Sequence, residues 1–173
     1  MSARPLLRYW LPVIIWMAII FIGSTDLLSA EQTSRIIGPL LRWLKPDISP
    51  ETIAQVQFFV RKGAHLTEYA VLATLLWRAL RFGTRLQWKM SIVAGTVLFV
   101  CVLFAASDEF HQSFVASRTA SASDVLIDIA GALIALAFCW RLAARAPQRA
   151  REARALPDRK SRVRTAPPHL TDQ

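Results

Sequence analysis

Two cysteines among 173 residues, Cys101 and Cys139, give almost no material for disulfide or thiolate chemistry. Both sit inside apolar runs and would lie at different depths, so an intrachain disulfide is not expected. Neither has metal-ligand spacing, and both read as packing residues. Internal repeats are absent, and so is a strong nucleophile motif; Ser24 and Ser121 are isolated hydroxyls. No small-x-small cleavage site follows the first apolar run, where Phe21-Ile22-Gly23-Ser24-Thr25-Asp26 stands instead. That run, preceded by Arg4 and Arg8, therefore reads as a retained signal-anchor helix and not as a removed signal peptide. Acids are scarce at the C-terminal end, where nine Lys or Arg from Arg141 onward meet only three.

What the chain does have is hydrophobic length. Apolar residues make up 54% of it, and four stretches stand out: Leu6–Gly23, Ala64–Leu80, Met90–Ser107 and Val125–Leu142. Each has roughly 17–18 residues, the short end of what crosses a bilayer as a helix. The fold expected is therefore an all-α membrane protein with four transmembrane helices, in one domain over residues 1–145. Residues 146–173 form a basic tail whose end, with Pro157, Pro167 and Pro168, is expected to be disordered.

Charge gives the expected orientation. Arg4 and Arg8 precede the first span, Arg78, Arg81, Arg85 and Lys89 lie between the second and third, and nine bases follow the fourth. These fifteen of 21 bases belong on one side, which the positive-inside rule makes cytoplasmic. Both termini are then inside, and the segments 24–63 and 108–124 are outside. The net charge of +9 is thus explained by attraction to anionic lipid and not by nucleic acid. In the first outer loop Ile36, Ile37, Leu40, Leu41 and Leu44 recur at helical spacing beside Trp43, with Arg35, Arg42 and Lys45 interspersed. This predicts a short amphipathic helix lying in the interface, ended by Pro46. Ser49-Pro50-Glu51-Thr52 then supplies an N-cap and a proline at the first helical position, so the next helix starts well before its apolar core.

Against this background a set of ionisable residues falls at one membrane face. Such groups cost several kcal/mol unless paired or facing a polar cavity, which makes them a functional-site hypothesis. Arg61, His65, Glu68 and Tyr69 share one helix face, with Lys62 beside them. A His–Glu pair at i, i+3 can tune a proton donor or acceptor, supply two metal ligands, or simply fix helix packing. Asp108 and Glu109 close the third span with Gln112 one turn on. Two adjacent carboxylates need a proton, a cation or a basic partner, and Arg118 is the base in that loop. Asp124 suits a helix N-terminus, while Asp128 lies a turn deeper and is followed by Gly131, where helices can approach closely. His111 is expected to be a solvated loop residue, and His169 lies in the tail.

Three blocks of these residues resemble the VanZ-like family of bacterial membrane proteins. Arg61-Lys62-Gly63-Ala64-His65-Leu66-Thr67-Glu68-Tyr69 is similar to the family's R-K-x-x-H-x-x-E-Y segment. Asp108-Glu109-Phe110-His111-Gln112 is similar to its D-E-x-x-Q, and Arg118, Asp124, Asp128 and Gly131 to its R-x-x-x-x-x-D-x-x-x-D-x-x-G. Phe21–Ser24 adds an F-x-x-S. The resemblance covers the chain to about residue 145 and implies four membrane helices. The family's namesake is associated with low-level resistance to the glycopeptide teicoplanin, but no accepted reaction carries over.

Three functions remain open at this point. The first is handling of an anionic envelope lipid or lipid-linked precursor at the outer face of the bacterial inner membrane. Arg61, Lys62 and Arg118 would hold the head group, with Tyr69, Gln112, Asp124 and Asp128 completing the site. His65, Glu68, Asp108 and Glu109 would then transfer protons or bind a divalent cation. The second is a non-catalytic protein that binds through the same pocket. The third, a small transporter or proton relay, is disfavoured because the first and third helices lack a midplane charge; a homo-oligomer would relax that objection.

Overall fold

The computed structural model describes residues 3–25, 30–84, 88–114 and 121–155. All of the regular structure among them is helical. In chain order the helices are α1 (Ala3–Gly23), α2 (Ala30–Leu44), α3 (Pro50–Arg78), α4 (Met90–Gln112) and α5 (Ala122–Ala155). A single wide turn of π-helix, Ala79–Gly83, prolongs α3. The chain divides into two units, Met1–Cys139 and Trp140–Gln173. The first holds the helix bundle. In the second, the described residues are the C-terminal part of α5, which runs to Ala155 and so into the segment expected to be a tail.

Each predicted apolar run lies within a helix, and the helices outgrow the runs. α3 shows why. Ser49 caps it, accepting from the Thr52 N–H at 3.2 Å, and Pro50 occupies the first turn. Glu51 completes the start; hydrogen bonds from its own backbone N–H and from Ser49 hold its carboxyl below the usual range. The helix therefore begins long before its apolar core, as the local residues dictate. Residues 36–45, expected as an amphipathic helix, fall largely in α2. Ile36, Leu40, Trp43 and Leu44 are exposed on it, as are Arg35, Arg42 and Lys45.

α3 is the element against which the others are placed. It contacts both α1 and α4, and the buried residues on the three helices include Tyr69, Leu72, Ala73 and Leu76 of α3, Val93, Val97, Cys101 and Ala105 of α4, and Val13 and Ile20 of α1. The far end of α3 is tied to the start of α1. Pro12 has no N–H, so the Arg8 carbonyl four residues earlier lacks its helical donor. Arg78 Nη2 donates to that carbonyl at 3.1 Å, and its guanidinium lies 5.2 Å from the Tyr9 ring centroid. At Gly83 a Cβ would come within 2.8 Å of Tyr9 Cβ.

α1 and α4 finish, and α3 and α5 come together near their starts, at one end of the bundle. Ser24 meets Asp108 there, and Lys62 meets Asp124. Gly131 sets the α3–α5 spacing, since a Cβ on it would run into the carbonyl of Leu66. Backbones this close are the known use of small residues between membrane helices.

Two helices are long and apolar enough to cross a bilayer, Met90–Gln112 and Ala122–Arg145, with mean hydropathy 2.3 and 2.0. Only 22% and 28% of their most apolar stretches are buried. A core helix of a soluble domain would be mostly covered, whereas here Phe99, Leu103, Ile134 and Phe138 are exposed. The apolar part of α1, Leu7–Gly23, is shorter, and α3 carries Arg61, Lys62 and Glu68 within its length.

The Gly131 contact is testable. Gly131→Val should lower the thermal midpoint in detergent by an amount corresponding to about 1–3 kcal/mol of overpacking. Gly95→Ala, where an added Cβ meets nothing within 4 Å, should leave the midpoint unchanged or slightly raised. Equal effects of the two substitutions would remove Gly131 as the spacing residue.

Candidate functional site

At the end where α1 and α4 finish, the described residues include seven buried polar or charged side chains. They are Ser24, His65, Asp108, Glu109, Gln112, Asp124 and Asp128. Six of them are residues that the sequence singled out for this site; the seventh, Ser24, was noted there only as an isolated hydroxyl and in the F-x-x-S match. Each helix delivers its share by its own periodicity. On α3, Arg61, His65 and Tyr69 fall at successive turns of one face, with Lys62 beside it. On α5, Asp124 and Asp128 are one turn apart, and on α4 Asp108 and Gln112 are likewise.

Two acid–base contacts join α3 to α5. Lys62 Nζ is ion-paired and hydrogen-bonded with Asp124 Oδ1, and lies 3.4 Å from Ser123 Oγ. His65 Nδ1 stands 3.1 Å from Asp128 Oδ1, both almost wholly buried, while its Nε2 is 3.9 Å from Asp124 Oδ2. Asp128 thus orients the imidazole through one nitrogen and leaves the other directed toward a second carboxylate beyond hydrogen-bonding distance.

For the α4 carboxylates the sequence expectation looked to Arg118. That residue lies outside the described residues. Asp108 accepts from Ser24 Oγ at 2.5 Å and from Gln112 Nε2 at 3.1 Å. Glu109 accepts from the backbone N–H of Ser121. Neutral donors therefore hold both, and among the described residues no ion pair reaches either one. Trp16 Nε1 donates to the backbone carbonyl of Glu68 at 2.9 Å, tying α1 to α3 at this level. Glu68 itself is half-buried, and its charge is felt at His65 and Tyr69.

Some buried polar atoms have no hydrogen-bond partner among the described residues. Arg61 Nε, Tyr69 Oη and His111 Nδ1 are buried without a hydrogen bond. His111, expected in a solvated loop, instead closes α4, with its ring 4.6 Å from that of Phe21. Among the described residues no group of three or more His, Cys, Asp or Glu side chains is arranged to hold a metal ion. Sequence reasoning did not find Trp16 or the Ser121 N–H as partners, because a backbone donor and a backbone acceptor carry no residue-type signal. Ser24 did carry one, as the hydroxyl closing the first apolar run.

The VanZ/LLP1 family description matches residues 9–143, which takes in every site residue named above. The chain belongs to the VanZ/LLP1 family. No curated protein and no solved structure matches it. Family membership and the two exposed apolar helices together make this VanZ/LLP1 member a helical membrane protein.

The Lys62–Asp124 pair gives a stability prediction. Asp124 is 2% exposed, so Lys62→Ala leaves a buried carboxylate without its cation and should cost about 3–5 kcal/mol. Replacing both residues, with Lys62→Met and Asp124→Leu, should recover most of that loss in thermal unfolding of the purified protein. A double variant as unstable as the sum of the single variants would show that the pair is not the unit described.

Proposed function

We propose that this chain is a four-span protein of the bacterial inner membrane with both termini in the cytoplasm. Its VanZ-like domain covers residues 1–145, followed by a basic cytoplasmic tail. The polar end of the bundle faces outward and binds the head group of an anionic cell-envelope lipid or lipid-linked precursor. A precursor ligand would connect the site to glycopeptide susceptibility of the teicoplanin type. The orientation is supported by Arg8, Arg78, Arg81 and Lys89, which lie at or near the helix ends opposite the polar cluster.

One observation carries the binding reading. Arg61 Nε is buried with no hydrogen-bond partner among the described residues, while the neighbouring Lys62 is engaged by Asp124. A buried donor without an acceptor costs about 1–3 kcal/mol, more if charged. A phosphate oxygen repays that cost, since phosphate matches the guanidinium fork. Arg118 would add a second cation.

The His65 geometry favours a second reading, in which the bound ligand is also processed. A base held through one ring nitrogen by a carboxylate, with the other nitrogen outside hydrogen-bonding distance of Asp124, is the arrangement proton transfer requires. His65 would exchange the proton, Asp128 would position it, and Glu68, Asp108 and Glu109 would complete the carboxylate set. A divalent cation remains a candidate cofactor for this reading. In the non-catalytic alternative the same groups bind without turnover.

Native mass spectrometry of the detergent-purified protein tests the binding. Wild type should retain an anionic lipid through desalting, and Arg61→Ala should retain about tenfold less, one hydrogen-bonded charge contact being worth about 1.5–3 kcal/mol. The melting temperature of the variant should not fall. Equal retention by both proteins, or none by either, would overturn the reading.

A further inference from the structure

The opposite end of the bundle gathers cations, and it does so through α1 and α3. Pro12 has no N–H and leaves the Arg8 carbonyl without its helical donor, and Arg78 Nη2 supplies one at 3.1 Å. That bond holds the Arg78 guanidinium beside Arg8. The two guanidinium carbons lie 5.2 and 5.7 Å from the centroid of a single ring, that of Tyr9. Both arginines are exposed, and like charges brought this close repel each other. Neither α1 nor the stretch from residue 69 to residue 107 contains an acid, so the elements that gather these cations bring no counter-charge of their own.

An open apolar groove runs from this pair along the seam between α1 and α3. Arg8, Leu11, Ile15 and Trp16 line one wall, and Val71 and Leu75 the other. On α3 the spacing Val71, Leu75, Arg78 is that of one helix face, as is Arg8, Leu11, Ile15 on α1, so each wall ends in an arginine at the same end. Leu11 is 43% exposed and Ile15 50%, which leaves the apolar floor open to an occupant. Arg8 and Trp16 are eight residues apart, about 12 Å along the helix axis. The hydrocarbon core of a bilayer is about 30 Å thick, so one leaflet contributes about 15 Å. The groove has the length of an acyl chain in one leaflet and is too short for a spanning helix.

We propose that this groove is a binding site for one anionic phospholipid. Arg8 and Arg78 take the phosphate, and one acyl chain follows the groove past Leu11 and Ile15 to Trp16. A guanidinium fork matches phosphate oxygens, and the negative charge relieves the repulsion between the two cations. A head group with its own quaternary ammonium would return a positive charge to the same place, so phosphatidylglycerol is preferred to phosphatidylcholine. In the orientation given above, this is the cytoplasmic leaflet. The site is separate from the outward-facing cluster and does not rest on the ligand read there.

An open groove exchanges its occupant readily, so the test is made at equilibrium in bilayers. The full-length protein is reconstituted in mixed vesicles of phosphatidylglycerol and phosphatidylcholine, with one lipid or the other brominated midway along a chain to quench tryptophan. The Trp16 signal is the fluorescence lost in Trp16→Phe, which keeps an aromatic ring in the groove. Its quenching should report a preference of about tenfold for phosphatidylglycerol, the size of one charge-assisted contact. Arg8→Gln should narrow that preference several-fold. Val71→Phe, which fills the groove without touching a charge, should weaken quenching by brominated phosphatidylglycerol. Lys89→Ala, an exposed cation at the same end of the bundle, should preserve the preference. A melting temperature raised more by phosphatidylglycerol than by phosphatidylcholine, with a smaller difference in Arg8→Gln, is a second measurement that needs no Trp16 variant. Equal quenching by the two lipids in the wild type would overturn the site, as would follow if acids of the C-terminal segment occupied the arginines. An equal loss in Lys89→Ala and Arg8→Gln would reduce the effect to surface charge and overturn it too. Quenching unchanged by Val71→Phe would do the same.

Discussion

The polar end of this protein depends on the close approach of α3 and α5 at Gly131. With no side chain there, the two backbones meet at the Leu66 carbonyl. One helical turn toward the polar end, that spacing brings His65 onto Asp128, and a further turn brings Lys62 onto Asp124. None of these contacts tolerates a helix standing further away, since a hydrogen bond weakens steeply within a fraction of an ångström. The electrostatics of the cluster thus rests on a steric fact about a residue with no polar atom beyond its backbone.

Placing so many ionisable groups where apolar helices end is expensive, and the structure meets the cost in two ways. Part of it is met by opposite charge, as at Lys62 and Asp124. The rest is met by neutral donors: the Ser24 hydroxyl, the Gln112 amide and the Ser121 backbone N–H. Neutral donors stabilise a carboxylate less than a cation does, but they leave its negative charge in place.

Much of this was legible in the sequence because it was periodic. Apolar runs marked the helices α1, α3, α4 and α5, and the spacing of Ile36, Leu40 and Leu44 marked α2. The turns between Arg61, His65 and Tyr69, and between Asp124 and Asp128, placed those residues on common faces before any contact was known. Pairing was harder to read. Arg118 was the obvious partner for Asp108 and Glu109 by charge and lies outside the described residues; what the sequence did not announce is that a serine on another helix and a glutamine one turn away also bond Asp108. Charge complementarity is written in residue type, whereas a serine hydroxyl or a backbone N–H is available almost everywhere. The length of α3 was partly foreseen from Ser49 and Pro50. Its link to α1 through the carbonyl that Pro12 leaves free was not, because it involves a missing donor.

The hydrogen bonds at the polar end also have a collective property. α3 is bonded to α5 through Lys62 and His65, α5 to α4 through Ser121 and Glu109, α4 to α1 through Asp108 and Ser24, and α1 back to α3 through Trp16 and the Glu68 carbonyl. The four helices are therefore hooped, each tied to two neighbours. A hoop can lose one tie and still hold its members, because every helix remains attached through the other side. One gap between neighbouring helices can therefore open at the polar end without the other three ties being lost. Which gap opens is decided by the weakest tie, and the Trp16 link between α1 and α3 is the one that engages no acidic side chain.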